Sequence, residues 1–337
     1  MKNIIISLAA LFAAWNISLA DVELAPAITV GGFIDMSYSD GEGESTLGID
    51  QVEVEFSIDN DSAVSALMNV QYEEDESETN IEEAYVTYEV DPSSSFTFGR
   101  FESALFFDDS EPTGLYQVST AYANGSDLIQ NIYDLRDQGI RYNYNTLDSA
   151  FSLSLVDNGD SKIADGQNTA NDTDGDYSIE LAYEKQFSDQ WSGFLGGRFY
   201  EPEADGVDDG NIWNAFVTYA MNQWLFAAEY ISYDAPTFGA FPDVEGLSID
   251  DAEGDLYQLM ANYAYSDANS VTFRYSKMDV ALTDSEDTSM DSEGDKWTVA
   301  HNAALADNLA LVAEFSRVDL EEADDADEFA VELLYTF

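Results

Sequence analysis

The 337-residue chain contains no cysteine, a single histidine (His301) and only 11 Lys+Arg against 68 Asp+Glu. Without cysteine there are no disulfides, no thiolate-bound zinc, no iron–sulfur cluster and no thiol nucleophile. With one histidine, a centre needing two is excluded, and a Ser–His hydrolase would have only His301 as its base. A net charge of -57 repels phosphate backbones, so nucleic acid is excluded as a partner. Beyond residue 20 no apolar run approaches the ~20 residues that a membrane-spanning helix needs. Six prolines and 21 glycines are too few for a low-complexity linker. Aromatic residues, by contrast, are plentiful: 20 Tyr, 20 Phe and 5 Trp are more than an acidic disordered chain carries. An ordered structure must bury or anchor those rings.

Residues 1–20 read as a secretory signal, with Lys2 as the charged start, Ile4 to Ala14 as the apolar stretch and Ser18-Leu19-Ala20 as a small-residue cleavage site. The mature chain from Asp21 then holds 10 basic residues against 68 acidic ones. It is either exported in soluble form or crosses a membrane as strands.

Alternation with period two dominates the mature chain. Val52, Val54, Phe56 and Ile58 alternate with Gln51, Glu53, Glu55 and Ser57, and Tyr177, Ile179, Leu181 and Tyr183 alternate with Ser178, Glu180, Ala182 and Glu184. Phe329, Val331, Leu333, Tyr335 and Phe337 do the same at the chain's end. Short connections with turn chemistry, such as Asp91-Pro92-Ser93-Ser94 and Asn222-Gln223, alternate with long acidic ones at 39–46, 73–80, 108–134, 157–175, 201–210, 234–254, 279–294 and 321–328. Seven short turns and eight long loops predict sixteen strands, with both chain ends on the short-turn side. Aromatic residues flank the short turns (Tyr88 and Phe96, Trp191, Tyr219 and Trp224, Tyr263 and Tyr265), where amphipathic rings meet lipid headgroups. A soluble sandwich would also alternate, but short turns at one end, long loops at the other and aromatic girdles belong to outer-membrane barrels. The predicted fold is all-β: a closed transmembrane antiparallel β-barrel spanning 21–337, its last strand paired with the first so that no edge meets lipid.

At this point the strands resemble those of the Gram-negative general-diffusion porins. Ile28-Thr29-Val30-Gly31-Gly32-Phe33-Ile34-Asp35 is similar to that family's opening strand. Phe96-Thr97-Phe98-Gly99-Arg100 resembles its Gly-Arg strand before the long third loop, and Gly139-Ile140-Arg141-Tyr142 the strand after it. The ending at Tyr335 and Phe337 resembles the signal read by the outer-membrane assembly machinery. The resemblance implies a sixteen-stranded homotrimeric channel for small hydrophilic solutes and ions, with loop 108–134 folded inward to narrow it. The chain departs from the family pattern on the second strand, where Gln51, Glu53 and Glu55 stand on a face that commonly carries basic residues.

By parity Asp35, Glu53, Glu55, Glu83, Glu89, Glu180, Glu184, Glu229, Glu314 and Glu332 face the lumen, together with Arg141, Arg198, Arg274 and Lys296. Strict alternation sets Arg100 beside Phe96 and Phe98 on the lipid side, where a guanidinium costs ~2–4 kcal/mol at mid-membrane. Lumen placement is therefore expected, by way of a bulge or of the chain's turn into the third loop. The third loop opens with Asp108, Asp109 and Glu111, and with Arg141 opposite it would set a transverse field; acidic rings favour cations. Phe194, Phe216 and Tyr200 also point inward.

The expected function is a water-filled, cation-preferring porin of the outer membrane. Its expected partners are outer-membrane lipid and lipopolysaccharide, further copies of itself, the assembly machinery, and solutes and ions. A structural or adhesive barrel with a blocked lumen and a substrate-specific channel are the alternatives. No cofactor or metal is expected: Asp172-Thr173-Asp174-Gly175-Asp176 reaches Tyr183, not Glu, at the twelfth position of a calcium loop. No enzyme is expected either, since His301 shares parity with Trp297 and Val299 and points outward near the turn at 306–308.

Overall fold

The computed structural model describes residues 22–41, 44–60, 62–73, 78–108, 111–122, 136–157, 177–201, 210–236, 249–284, 289–320 and 325–337. The signal segment, Asp109, the Asp172–Asp176 run and the greater part of the acidic outer loops lie outside them. A short strand β1 (Val22–Ala25) precedes sixteen longer ones. The first eight are β2 (Ile28–Gly41), β3 (Glu44–Asp59), β4 (Val64–Glu73), β5 (Glu78–Asp91), β6 (Ser94–Glu102), β7 (Arg136–Asn145), β8 (Ser149–Asp157) and β9 (Tyr177–Gln186). The rest are β10 (Trp191–Glu201), β11 (Gly210–Met221), β12 (Trp224–Pro236), β13 (Ile249–Ser266), β14 (Asn269–Asp284), β15 (Ser289–Ala306), β16 (Leu309–Leu320) and β17 (Ala326–Thr336). Each pairs antiparallel with its neighbours in sequence, and β17 returns to β2, closing a sixteen-stranded barrel as the alternation predicts.

The alternation is inside-out relative to a soluble protein. On β9, Ser178, Glu180 and Ala182 are buried in the interior while Ile179, Leu181 and Tyr183 stand exposed on the outside. Such a surface is stable only against hydrocarbon. Rings pair across strands near the short turns, Trp191 with Tyr219 at 4.4 Å and Trp224 with Tyr263 at 4.5 Å, as an interfacial girdle requires.

Several long loops are shorter than their acidity suggested: of 39–46 and 73–80, only 42–43 and 74–77 separate the strands. Of the stretch 279–294, only 285–288 separates β14 from β15, with Asp279 opposite Glu293. Of 234–254, only 237–248 separates β12 from β13. Acidic residues do not stop a ladder that has risen into water. At 16 and 18 residues, β14 and β15 exceed the ~9–11 a tilted strand needs to cross, so their acidic ends project beyond the bilayer.

The seam is held at its very end. Phe337 and Gly32 exchange two backbone hydrogen bonds of 3.0 Å, and β1 then takes over the edge of β2 at Ile28 to Val30. Gly32 has φ 155°, and a Cβ there would sit 2.1 Å from the Glu53 carbonyl oxygen. Gly32→Val is accordingly expected to strain the seam by about 1–3 kcal/mol and to deplete the folded, heat-modifiable band in a gel assay. Full recovery of that band would show that the seam tolerates a side chain.

Candidate functional site

The connection from β6 to β7 turns into the barrel at Ser103, five residues earlier than the acids that mark it in the sequence. It lies along the inner wall because inward side chains there offer what its backbone lacks. The Ser103 hydroxyl and the Ala104 N–H donate to Glu180 on β9 at 2.6 and 3.0 Å. The Phe106 N–H donates to Asn214 on β11 (3.0 Å) and the Phe107 N–H to Glu229 on β12 (2.8 Å). Residues 116–122 return along the far wall. There the Tyr116 carbonyl accepts from Thr272 and Asn302 at 3.0 and 2.9 Å, and Glu314 accepts from the Val118 N–H at 2.8 Å. The Ser276 hydroxyl donates to the Ala121 carbonyl.

Arg274 on β14 is the central fastening. Its guanidinium is fully buried, pairs with Asp108 at 3.0 Å, and donates to the carbonyls of Ser119 (2.8 Å) and Thr120. Burial raises the Asp108 carboxyl above the usual carboxylate range, with Arg274 pulling it back. Lys296 donates to the Thr120 carbonyl at 3.3 Å. Apolar contacts seal the same half: Leu105, Ala121 and Tyr122 join Tyr200, Ile231 and Leu256 in one buried cluster. Phe107 meets Phe216 at 5.6 Å, and Phe216 stacks on Phe194 at 4.6 Å. The loop thus covers the interior face of β9 to β16.

The other half is acidic. Asp35, Glu53, Glu82 and Glu332 are buried there, while Glu55 and Glu89 are half-buried. Only three positions after Asp108, the loop sends Glu111 to this side, where it accepts from Arg136 (2.6 Å) and from Gln51 on β3 (2.9 Å). Arg136, the first residue of β7, also pairs with Glu82 at 2.8 Å. Glu82 faces inward because of a bulge. Between the pairs Met68–Ala84 and Val70–Ile81, two residues of β5 oppose one of β4, so Glu82 and Glu83 both escape strict alternation. Glu83 accepts the Glu102 N–H at 2.8 Å.

The structure brings some of the expected residues together and separates others. Arg141 does not oppose the loop's acids as a bare charge: it donates to the Glu102 carbonyl (2.6 Å), Ser154 (2.9 Å) and Glu180 (3.2 Å), over the Phe101 ring. Arg198 pairs with Asp137 at 2.5 Å. At Arg100 the register of β6 runs on without a bulge, opposite Ala84 and Gln138, and its Nε donates to the Glu82 carbonyl at 2.7 Å. The preceding Gly99 takes φ 134°, where a Cβ would come within 2.2 Å of the Ala84 carbonyl oxygen. His301 meets Tyr265 at 2.6 Å on the outer face, and Tyr335 and Phe337 also lie outward. Glu82 and Arg136 were missed in the sequence, although so few basic residues face so many acids that each inward arginine is a signal in itself.

A family model described as Gram-negative porin matches residues 7–323. No curated protein matches the sequence. Among solved structures, the trimer form of OmpT, an outer membrane protein of Vibrio cholerae, is 13% identical, with a TM-score of 0.63, covering 92% of this chain and 99% of that one. Salmonella typhi OmpF in complex with daunomycin is 12% identical, with a TM-score of 0.65 and coverage of 94% and 100%. An anion-selective porin from Comamonas acidovorans is 13% identical, with a TM-score of 0.61 and coverage of 92% and 99%. At such identities these structures share the fold and nothing finer.

Proposed function

The chain belongs to the Gram-negative porin family, and from that premise we propose that it is a water-filled, cation-preferring diffusion channel working as a homotrimer. Family and fold place it in the outer membrane and point to a channel rather than an enzyme. Cleavage after Ala20, periplasmic termini, contact with lipopolysaccharide and recognition of Phe337 by the assembly machinery belong to the same proposal. So does the assignment of the pore wall to Glu53, Glu55, Glu83 and Glu111, with Arg100, Arg141, Arg198, Arg274, Lys296, Asp108 and Asp109 around the inward loop.

One observation supports the selectivity: among the described residues the loop covers β9 to β16 and ties up Arg274 and Lys296, while the inner faces of β2 to β5 and β17 carry carboxylates, of which Glu55 and Glu89 are half-buried. A solute passing between loop and wall meets a surface rich in oxygen acceptors and poor in cations, which favours cations. The zero-current potential across a salt gradient in a planar bilayer tests this. A cation-sign potential that shrinks as salt rises towards 1 M, where screening acts beyond ~3 Å, is expected. An anion-sign potential would sink the selectivity, and absence of conductance would favour the blocked structural barrel.

A further inference from the structure

The acidic half contains one cluster that its own protein partners do not complete. Glu53 on β3, Glu82 on β5 and Glu111 on the loop each bring a carboxylate oxygen within 4.8 Å of the others. Arg136 reaches Glu82 at 2.8 Å and Glu111 at 2.6 Å. Glu53 and Glu82 are more than nine-tenths buried, yet one oxygen of each, Glu53 Oε2 and Glu82 Oε2, has no hydrogen-bond partner. Buried anionic oxygens without donors are costly. Nearby on the same face, Asn69 of β4, paired with Glu55, has its amide oxygen buried and likewise without a partner. These oxygens are all acceptors, and what they lack is a donor or a cation.

We propose that Glu53, Glu82 and Glu111 form a binding site for a divalent cation of the calcium class, which fastens the inward loop to the β3–β5 wall. Calcium takes oxygen ligands at ~2.3–2.6 Å, so two ligands on opposite sides of it lie up to about 5 Å apart, a span that accommodates this triangle. Magnesium dehydrates reluctantly and is seldom held by protein carboxylates alone. With Arg136 already present, a divalent ion balances the remaining charge. The ion joins two wall strands to the loop on the side opposite Arg274, so the loop is held from both walls.

The site itself stands on geometry, while any effect on conductance rests on the channel reading, and the experiments separate the two. Folded wild-type protein crystallised with calcium replaced by terbium should show an anomalous peak among the three carboxylates. Peaks confined to the outer loops would overturn the proposal. In equilibrium dialysis with radioactive calcium, Glu53→Gln and Glu82→Gln should each lose one tight site, at least tenfold in affinity, whereas the surface change Asp325→Asn should not. Equal loss in all three variants would reduce the binding to general surface charge and also overturn it. In bilayers, wild-type conductance should respond to calcium and Glu53→Gln should not. A bound ion in a barrel that never conducts would leave the site standing and remove the channel reading instead.

Discussion

Arg274→Met is expected to release the inward loop, raising single-channel conductance and current noise while lowering barrel stability by about 3–5 kcal/mol, the usual cost of breaking a buried ion pair. The expectation rests on how many bonds end on one side chain. The guanidinium holds Asp108 and the carbonyls of Ser119 and Thr120, and it has no exposure to solvent of its own. Methionine fills much of the same volume, so the loss is one of charge and donors rather than of packing. The stranded partner, Asp108, should account for a good part of the cost. Adding Asp108→Asn should therefore recover some stability without returning the loop to the wall. Conductance recordings and thermal unfolding of the folded barrel check both arms. Unchanged conductance in the single variant would mean that the remaining bonds to Glu180, Glu229 and Glu314 suffice to hold the loop.

The second large effect concerns selectivity, and it depends on which half of the barrel is altered. Neutralising Asp35, Glu55 and Glu332 together, to Asn, Gln and Gln, should cut the cation-to-anion permeability ratio several-fold. Of the three, Glu55 is half-buried and can meet an ion at ~4 Å, where a charge is worth on the order of 1 kcal/mol in water; Asp35 and Glu332 are buried and act from behind the wall surface. Changing Glu180 and Glu229 to Gln instead should move the ratio little. Those carboxylates face the loop and already accept its N–H groups, at 3.0 Å for Ala104 and 2.8 Å for Phe107. Their loss should appear as instability and noise. Reversal potentials of both variants, measured at the same salt gradient, decide the matter. Equal shifts from the two walls would mean that ions do not keep to the acidic side.

The strands were legible because lipid on one side and polar groups on the other leave no position neutral: Ile179, Leu181 and Tyr183 declare one face of β9 as plainly as Ser178 and Glu180 declare the other. Closure was legible too, since an edge is not tolerated in hydrocarbon. Two features were hidden. The β5 bulge puts Glu82 inward against its parity, and a one-residue irregularity leaves no trace in alternating composition. Acidity disguised the upper parts of β14 and β15 as loop, because once strands leave the bilayer both faces meet water and the contrast between them fades. Arg141 had a signal, its isolation among acids, but its partners Glu102 and Glu180 lie 39 residues away on either side, beyond what spacing can reveal.

Much of the loop's attachment runs through main-chain atoms. The carbonyls of Tyr116, Ser119, Thr120 and Ala121 accept from Thr272, Asn302, Arg274 and Ser276, and the N–H groups of Ala104, Phe106, Phe107 and Val118 donate to wall side chains. Every residue carries a carbonyl and nearly every one an N–H. Such moorings therefore fix where the loop lies without dictating what it is made of. At Ala104, Val118 and Thr120, which are moored by main-chain atoms, substitutions can accumulate, and remodel the surface the loop presents to passing solutes, without setting it adrift. The wall is under the opposite constraint, because its anchoring groups are side chains. Diversification of permeability in this barrel has its freest ground on the loop, and its most restricted on β14.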